Sequence, residues 1–186
     1  MLNDPSAAAA RADWLPAERL GQAKIEPGVR SYMIGKGLLT DRLRDVGGGL
    51  FSLRLIEQHT ALLDAAQRGL LQRNDSAGLI REVKMFWRET LWVYAQSIIP
   101  DSTLNAHPWL AELGDAALGE TLNGISGVER SSYEYAWLVA DHPLTARAFL
   151  GADIKPSGLW ARRYRFTLHG APLLVQELFF PAIGQV

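Results

Sequence analysis

The segment that most constrains the fold lies near the C-terminus, where the chain from Pro172 to Pro181 is almost entirely apolar. Side chains of a β-strand alternate between its two faces, and counting by twos makes both faces of this segment mostly apolar. We therefore predict a central strand that is covered on at least part of each side. The polar exceptions are Gln176 on one face and Glu177 on the other. A carboxylate in such surroundings must find a partner, change its pKa or serve a ligand.

The composition is that of one globular domain. The chain has 186 residues, of which 48% are hydrophobic and 21% are charged. A chain of this length and composition buries a sizeable core. We assign the domain to residues 14–186 and expect the alanine-rich residues 1–13 to form a flexible tail.

Charge and cysteine content exclude several classes of function. The formal net charge is −1, so the chain lacks the basic surface that nucleic-acid binding requires. It contains no cysteine, which excludes disulfides, thiolate metal sites and thiol nucleophiles. No segment resembles a secretory signal or approaches the ~20 apolar residues of a membrane-spanning helix. We therefore expect a cytoplasmic protein that does not insert into membranes.

Short apolar segments with period-two spacing predict an antiparallel sheet with helices packed on it. The predicted strands are 50–56, 79–87, 91–99, 129–136, 159–168 and 172–180. The predicted helices include 60–71 and 107–122, and the second is interrupted by Gly114 and Gly119. The short connections after Trp87 and Leu168 predict two hairpins. Because the chain shows no internal repeat or linker, we predict the α+β class and a single domain.

Two arginines lie on strand faces that are otherwise apolar or aromatic. Arg81 shares one side of the strand at 79–87 with apolar residues, whereas Glu82 and Lys84 point to the other side. Arg162 lies among aromatic residues on one side of the next-to-last strand. Single charges in such positions either form structural ion pairs or bind a ligand.

From these residues alone, two interpretations stay open. In the first, Arg81 and Glu177 form a buried structural ion pair, which Arg162 shares. In the second, they line an enclosed pocket in which Arg81 holds a carboxylate through two parallel hydrogen bonds. Glu177 then meets a hydroxyl or ether oxygen. Such a pocket fits a small anionic ligand with a hydroxyl at its far end.

Sequence motifs for cofactors and metals are absent. The chain has no GxxxxGKS/T phosphate loop, no GxGxxG after a strand, no GxSxG and no HExxH. The four histidines, at positions 59, 107, 142 and 169, are scattered without metal-ligand spacing. We therefore predict neither a metal nor a cofactor.

Several blocks of the sequence resemble the bacterial chorismate pyruvate-lyase family. The chain from Gly158 to Ala182 is similar to the family's C-terminal signature, GLWxRR followed by PLLxxELFLP. The chain from Ile80 to Leu104 contains IRE, SIIP and STL, which resemble the family's LRE, VVP and STL. Residues 113–119 are a weaker match to LGxxPLG, and residues 38–43 resemble a short N-terminal motif. The likeness extends from about residue 31 to the C-terminus.

The resemblance implies a fold, a function and a set of site residues. Members of this family convert chorismate to 4-hydroxybenzoate and pyruvate, the first step of ubiquinone synthesis, without metal or cofactor. Helical flaps on an antiparallel sheet close over their internal site. By this resemblance Arg81 binds the ring carboxylate and Glu177 meets the ring hydroxyl, and both belong to the catalytic site. Leu39 and Leu118 match positions that line the carboxylate end. A planar product held by the same residues leaves slowly, which predicts product inhibition.

The chain departs from the family pattern at positions that include Gln96 and Ala117, and two alternative functions stay open. Gln96 stands where some members have arginine, so the resemblance implies a missing contact to the enolpyruvyl carboxylate. Ala117 stands where proline is frequent. The same fold serves as the ligand-sensing domain of some bacterial transcription regulators, so a non-catalytic sensor of aromatic carboxylates is the first alternative. A lyase that gives another hydroxybenzoate isomer is the second.

The expected assembly is a monomer that acts on a small molecule. No basic helix-turn-helix segment precedes residue 31, which counts against a DNA-binding regulator.

Overall fold

A computed structural model describes residues 12–185 and shows one antiparallel sheet with helices on both faces. Its strands are β1 (Leu15–Pro16), β2 (Phe51–Leu62), β3 (Ala77–Trp87), β4 (Thr90–Pro100), β5 (Val128–Arg130), β6 (Glu134–Val139), β7 (Gly158–Leu168) and β8 (Ala171–Phe179). The order across the sheet is β1-β6-β7-β8-β4-β3-β2, and β5 pairs with β7. The strand pairs are antiparallel. The predicted α+β class is therefore confirmed.

Short helices connect the strands and cover the sheet. They are α1 (Pro27–Ile34), α2 (Leu39–Gly47), α3 (Ala65–Leu71), α4 (Asp101–Ala106), α5 (Leu118–Asn123) and α6 (Pro143–Ala148). Further 3-10 helices lie at Ala17–Gln22, Gly48–Leu50, Pro108–Glu112 and Pro181–Gln185. Within residues 12–185, no helix has the length and apolar character needed to cross a membrane. The predicted N-terminal tail lies outside the described residues, except for Ala12 and Asp13.

Strand β8 is the central strand that the apolar pattern predicts. It lies between β7 and β4, and its residues 172–179 are all buried. Side chains of α1 and α2 pack on one face of the sheet, and side chains of α6 pack on the other. Because both faces of β8 are covered, any polar side chain on it must be satisfied inside the protein.

Both predicted hairpins are confirmed, and each closes through a two-residue turn. Arg88 and Glu89 join β3 to β4, and His169 and Gly170 join β7 to β8. Arg88, His169 and Gly170 have φ angles of +54°, +48° and +85°, as is typical of tight hairpin turns. The β3–β4 turn therefore forms without glycine.

Three predicted elements differ from the structure. Residues 60–62 belong to β2, because its pairing with β3 continues as far as Leu62 opposite Ala77. Helix α3 begins only after Asp64, whose side chain accepts the backbone N–H of Gln67 in a capping box. The strand predicted at 129–136 is two strands, β5 and β6.

The third element that differs is the helix predicted at 107–122, and the difference affects the site. This segment is a 3-10 helix and the short helix α5, separated by a loop that contains the predicted interruption at Gly114. Gly119, the second predicted interruption, lies within α5. Gly114 has a φ of +51° in this loop, which a right-handed helix does not contain. The break leaves backbone carbonyl groups of the loop free to accept hydrogen bonds from a side chain of the sheet.

Candidate active site

The register of the sheet brings the two predicted site charges to one face. Two neighbouring rows of cross-strand partners contain them: Val83–Ala95–Glu177–Arg162 and Arg81–Ser97–Val175–Tyr164. These residues line one cavity. Two strand spacings and a two-residue offset separate the Cα atoms of Arg81 and Glu177 by about 12 Å. The two side chains therefore stand at opposite ends of the same cavity.

Residues of α2 and α5 and of the segments preceding them cover this cavity. The predicted residues Leu39 and Leu118 are both buried and line it. Arg44 Nε donates to Glu120 Oε1 over 3.1 Å and so joins the two helices. The cavity volume is about 50 Å³, which is room for only a few water molecules. A ligand with a six-membered ring needs more room than this, so α2 and α5, which we call the flaps, or the lining side chains have to move as it binds.

Arg81 forms one end of the cavity. It is only 2% exposed, and no carboxylate of residues 12–185 forms an ion pair with it. Its Nη2 donates to the carbonyl oxygens of Gly114 and Ala116, over 2.7 and 2.8 Å. Its Nε is buried without a hydrogen-bond partner in this part of the chain. Burial lowers the pKa of Arg81, although the nearby Asp115 opposes that shift.

This arrangement at Arg81 favours an anionic ligand. A buried cation without an opposite charge is unfavourable unless a ligand supplies one. A carboxylate is suitable because it accepts charge-assisted hydrogen bonds from a guanidinium. The loop that holds Arg81 is itself fixed to the sheet, since Asp115 Oδ1 accepts the backbone N–H of Leu55 over 2.6 Å. Leu55 lies at the bulge of β2.

Glu177 forms the other end of the cavity and is 4% exposed. Its Oε2 accepts from Nε of Arg162, directly opposite on β7. Its Oε1 accepts from the hydroxyl of Tyr164 over 3.3 Å. The interpretation in which Arg81 and Glu177 form an ion pair with each other is therefore wrong, because the partner of Glu177 is Arg162. The ion pair with a guanidinium makes Glu177 an acceptor of hydrogen bonds.

Arg162 has several further contacts besides its ion pair with Glu177. Its Nη1 donates to the carbonyl oxygens of Tyr32 and Met33, over 3.2 and 2.8 Å. Its guanidinium lies 4.5 Å from the ring centroid of Tyr133. Burial acts to lower the pKa of Arg162, but the attraction of Glu177 together with smaller contributions from Tyr164 and Tyr133 outweighs burial, so that pKa lies above its ordinary value.

Tyr164 stays protonated beside this ion pair. Burial raises the pKa of its hydroxyl well above the ordinary value, and the charge of Glu177 raises it further. The hydroxyl therefore acts as a donor to Glu177. Together, Arg162 and Tyr164 fix the orientation of the Glu177 carboxylate in the cavity.

Gln96 lies on the opposite face of the sheet. Its Nε2 donates to Glu82 Oε1 over 3.2 Å, and its Oε1 accepts from Nε2 of Gln176 over 3.3 Å. A side chain at this position of β4 points away from the cavity. Gln96 therefore makes no contact with the cavity, because the register of β4 turns its side chain to the other face of the sheet.

The described part of the chain contains no group of three or more His, Cys, Asp or Glu side chains placed to hold a metal ion. The four histidines are not among the residues that line the cavity. The polar side chains that line the cavity are those of Thr40, Arg81, Ser97, Arg130, Tyr133, Arg162, Tyr164 and Glu177.

Two lining residues, Arg130 and Tyr133, were not identified from the sequence. Arg130 ends β5, and Tyr133 lies in the connection to β6. The pattern predicts one continuous strand at 129–136, in which the side chains of residues 130 and 133 would point to opposite faces. Tyr164, in contrast, shares a face with Arg162, and this follows from strand alternation alone.

Comparison with known proteins identifies related sequences. The sequence model of the family described as "Chorismate lyase" matches residues 8–185. A probable chorismate pyruvate-lyase of Nitrosospira multiformis is 34% identical over 179 residues, which cover 95% of this chain and 97% of that protein. A protein of the same description from Pseudomonas aeruginosa is 34% identical over 172 residues, with 91% and 92% covered.

Several solved structures share the fold of this chain at low sequence identity. The effector domain of PhnF from Mycobacterium smegmatis aligns with a TM-score of 0.58 and 16% identity, covering 80% of this chain and 91% of that one. The ligand-binding domain of a putative GntR-family regulator from Bordetella bronchiseptica aligns with a TM-score of 0.53, also at 16% identity, covering 72% and 86%. At this identity the likeness concerns the fold alone. The matched residues and the identity to its relatives show that the chain belongs to the chorismate lyase family.

Proposed function

We propose that this protein is a chorismate pyruvate-lyase, which converts chorismate to 4-hydroxybenzoate and pyruvate. The observation that carries the proposal is the placement of buried Arg81 and Glu177 at opposite ends of one covered cavity, in a member of this family. Arg81 binds the ring carboxylate, and Glu177 accepts a hydrogen bond from the ring hydroxyl. Leu39 and Leu118 enclose the carboxylate end.

The reaction is an elimination that makes the ring aromatic. The bond between the ether oxygen and its ring carbon breaks, and the neighbouring hydroxyl-bearing carbon loses its hydrogen. In a cyclic step, the methylene of the enolpyruvyl group accepts that hydrogen and becomes the methyl group of pyruvate, while the ether oxygen becomes the ketone. The protein then contributes orientation and exclusion of water. The alternative is that Glu177 protonates the departing group as a general acid.

A direct assay tests the proposal. The purified protein is incubated with chorismate, and 4-hydroxybenzoate is followed by its absorbance and identified by chromatography. We expect 4-hydroxybenzoate and pyruvate in equal amounts. Another hydroxybenzoate isomer would contradict the stated product. Binding of chorismate without turnover would support the alternative of a ligand sensor, for which the fold shared with a regulator's ligand-binding domain is the supporting observation.

The setting of the reaction remains a prediction from the sequence. We propose that the protein is a cytoplasmic monomer whose product supplies ubiquinone synthesis. The sequence resemblance supports the pathway, and sedimentation of the purified protein tests the monomer.

Replacement of Glu177 by glutamine separates its two roles. An amide oxygen accepts a hydrogen bond from the ring hydroxyl, but an amide does not act as a general acid. Since Glu177 pairs with Arg162, we expect it to act as an acceptor, so kcat of Glu177→Gln should fall by less than about 10-fold. A loss of about 100-fold or more would instead indicate general acid catalysis.

A matched variant controls for the loss of a buried charge. Glu82 is 2% exposed and pairs with Arg147 on the opposite face of the sheet. Glu82→Gln therefore makes the same chemical change at the same depth, away from the cavity. If both variants lose kcat equally, the effect on Glu177→Gln is one of folding and not of the site.

Slow product release should limit turnover. The cavity is covered and its flaps are joined by the Arg44–Glu120 pair, so 4-hydroxybenzoate leaves only when the flaps open. We expect a burst of product in the first turnover, measured by stopped-flow absorbance. Arg44→Gln removes a surface pair of about 0.2–1 kcal/mol and should raise the steady-state rate by up to about 5-fold. A linear time course without a burst would contradict this prediction.

A further inference from the structure

The charges that line the cavity exceed those that the proposed function uses. The lining contains three arginines, Arg81, Arg130 and Arg162, and one glutamate, Glu177. Arg162 is neutralised by Glu177, and Arg81 is assigned to the ring carboxylate. One positive charge, that of Arg130, has no assigned role.

Arg130 faces the cavity although it lies near the edge of the sheet. Arg130 lies opposite Phe166 in the β5–β7 pair, so the two side chains point to the same face of the sheet. Arg162 and Tyr164 point to that face too, because they precede Phe166 on β7 by four and two residues. The guanidinium of Arg130 lies 4.8 Å from the ring centroid of Tyr133. No carboxylate within residues 12–185 forms an ion pair with it.

The guanidinium groups of Arg130 and Arg162 both lie next to the ring of Tyr133. The guanidinium of Arg162 is 4.5 Å from the centroid of that ring, and that of Arg130 is 4.8 Å from it. The two guanidinium groups are therefore at most about 9 Å apart. The backbone of Arg130 lies opposite Phe166, four residues along β7 from Arg162. Its guanidinium extends back over the Tyr133 ring towards Arg162, which holds Glu177. The charged group of Arg130 therefore lies near the Arg162–Glu177 ion pair.

The chemistry of chorismate requires an anion site near this ion pair. Chorismate has two carboxylates, one on the ring and one on the enolpyruvyl group. The enolpyruvyl ether is attached to the ring carbon next to the one that bears the hydroxyl. When the hydroxyl meets Glu177, the second carboxylate must therefore lie near Glu177 and to one side of the ring.

We infer that Arg130 binds the enolpyruvyl carboxylate of chorismate, an inference that rests on the proposed function. The three arginines and one glutamate then carry a net charge of +2, which balances the two carboxylates of the substrate. Arg130 is exposed and also lines the neighbouring surface cavity, so the pyruvate part of the substrate points towards the solvent. Arg130 is thus a specificity-determining residue that distinguishes the substrate from the product, because 4-hydroxybenzoate lacks the second carboxylate.

Replacement of Arg130 by glutamine tests the inference through this difference. We expect KM for chorismate to rise by about 5- to 50-fold, the range for one charge-assisted contact near the surface. The Kd of 4-hydroxybenzoate, measured by calorimetry, should change by less than about 2-fold, because the product makes no contact with Arg130. Arg130→Lys should recover part of the loss in KM, since a lysine keeps the charge but not the planar donors.

Control variants make each outcome decisive. Arg54→Gln removes an exposed arginine that stacks on Phe86 outside the cavity lining, and should leave KM unchanged. An unchanged KM in Arg130→Gln, or a parallel rise in the Kd of 4-hydroxybenzoate, would overturn the inference. If the wild-type protein binds chorismate but does not convert it, the proposed function fails, and the Kd of chorismate replaces KM in the same comparison. If it does not bind chorismate at all, both fail.

Discussion

Replacing Arg162 by methionine should lower the free energy of unfolding by about 3–5 kcal/mol, because the change leaves Glu177 buried without its charged partner. The pair is almost completely buried, with Arg162 2% and Glu177 4% exposed. The variant also loses the hydrogen bonds to Tyr32 and Met33, which attach α1 to the sheet. For a protein of this size the expected decrease in Tm is about 6–20 °C, measured by calorimetry or circular dichroism.

Two further variants separate the ion pair from other effects. Arg44→Gln breaks a pair on the protein surface and should change stability by less than about 1 kcal/mol. The double variant Arg162→Met with Glu177→Met removes both charges and should recover much of the stability, since apolar residues often replace a buried pair without loss. If the single and double variants are equally unstable, the unpaired carboxylate is not the cause.

Arg81→Met should have the opposite signature, with a large loss of activity and little loss of stability. Removal of one charge-assisted contact to the ring carboxylate should reduce kcat/KM by about 1.5–3 kcal/mol, which is about 10- to 160-fold. Removal of a buried cation without a carboxylate partner offsets the loss of its two hydrogen bonds to Gly114 and Ala116, so we expect Tm to change by only a few degrees.

Ligand analogues show whether the lost contact is the one to the carboxylate. The wild-type protein should bind 4-hydroxybenzoate more tightly than 4-hydroxybenzamide, because only the former carries the charge that Arg81 attracts. In Arg81→Met this preference should disappear. An unaffected kcat/KM, or a preference that persists in the variant, would remove Arg81 from the site.

These two arginines are equally buried but differ in their partners. Both are 2% exposed, and both lie on the cavity face of the sheet. Arg162 has a charged partner in the protein, and attraction to it keeps its pKa high. Within residues 12–185 Arg81 has no ion-pair partner, and burial lowers its pKa. We propose that an anionic ligand completes the unsatisfied residue, whereas the satisfied one holds the proposed catalytic carboxylate in place.

Much of the fold follows from local patterns in the sequence. The apolar alternation of 172–180 predicts the central strand, and the short connections after Trp87 and Leu168 predict both hairpins. Strand alternation also places Arg81 and Glu177 on apolar faces. The ends of helices are harder to predict from the sequence. Residues 60–62 extend β2 because β3 pairs with them, although a loose apolar stripe favours a helix there.

Contacts between residues far apart in the sequence depend on how the strands pair in the tertiary structure. Strand alternation shows which residues share a face, but not which residue of the neighbouring strand lies opposite, since register depends on the whole sheet. Register makes Arg162 the partner of Glu177, turns Gln96 away from the cavity, and brings Arg130 next to Tyr133. Local apolar periodicity thus determined the strands and the two candidate charges, because it acts between residues close in sequence. The ion pair, the unpaired arginine and the third arginine of the cavity arose from packing between residues far apart in sequence, which no local pattern encodes.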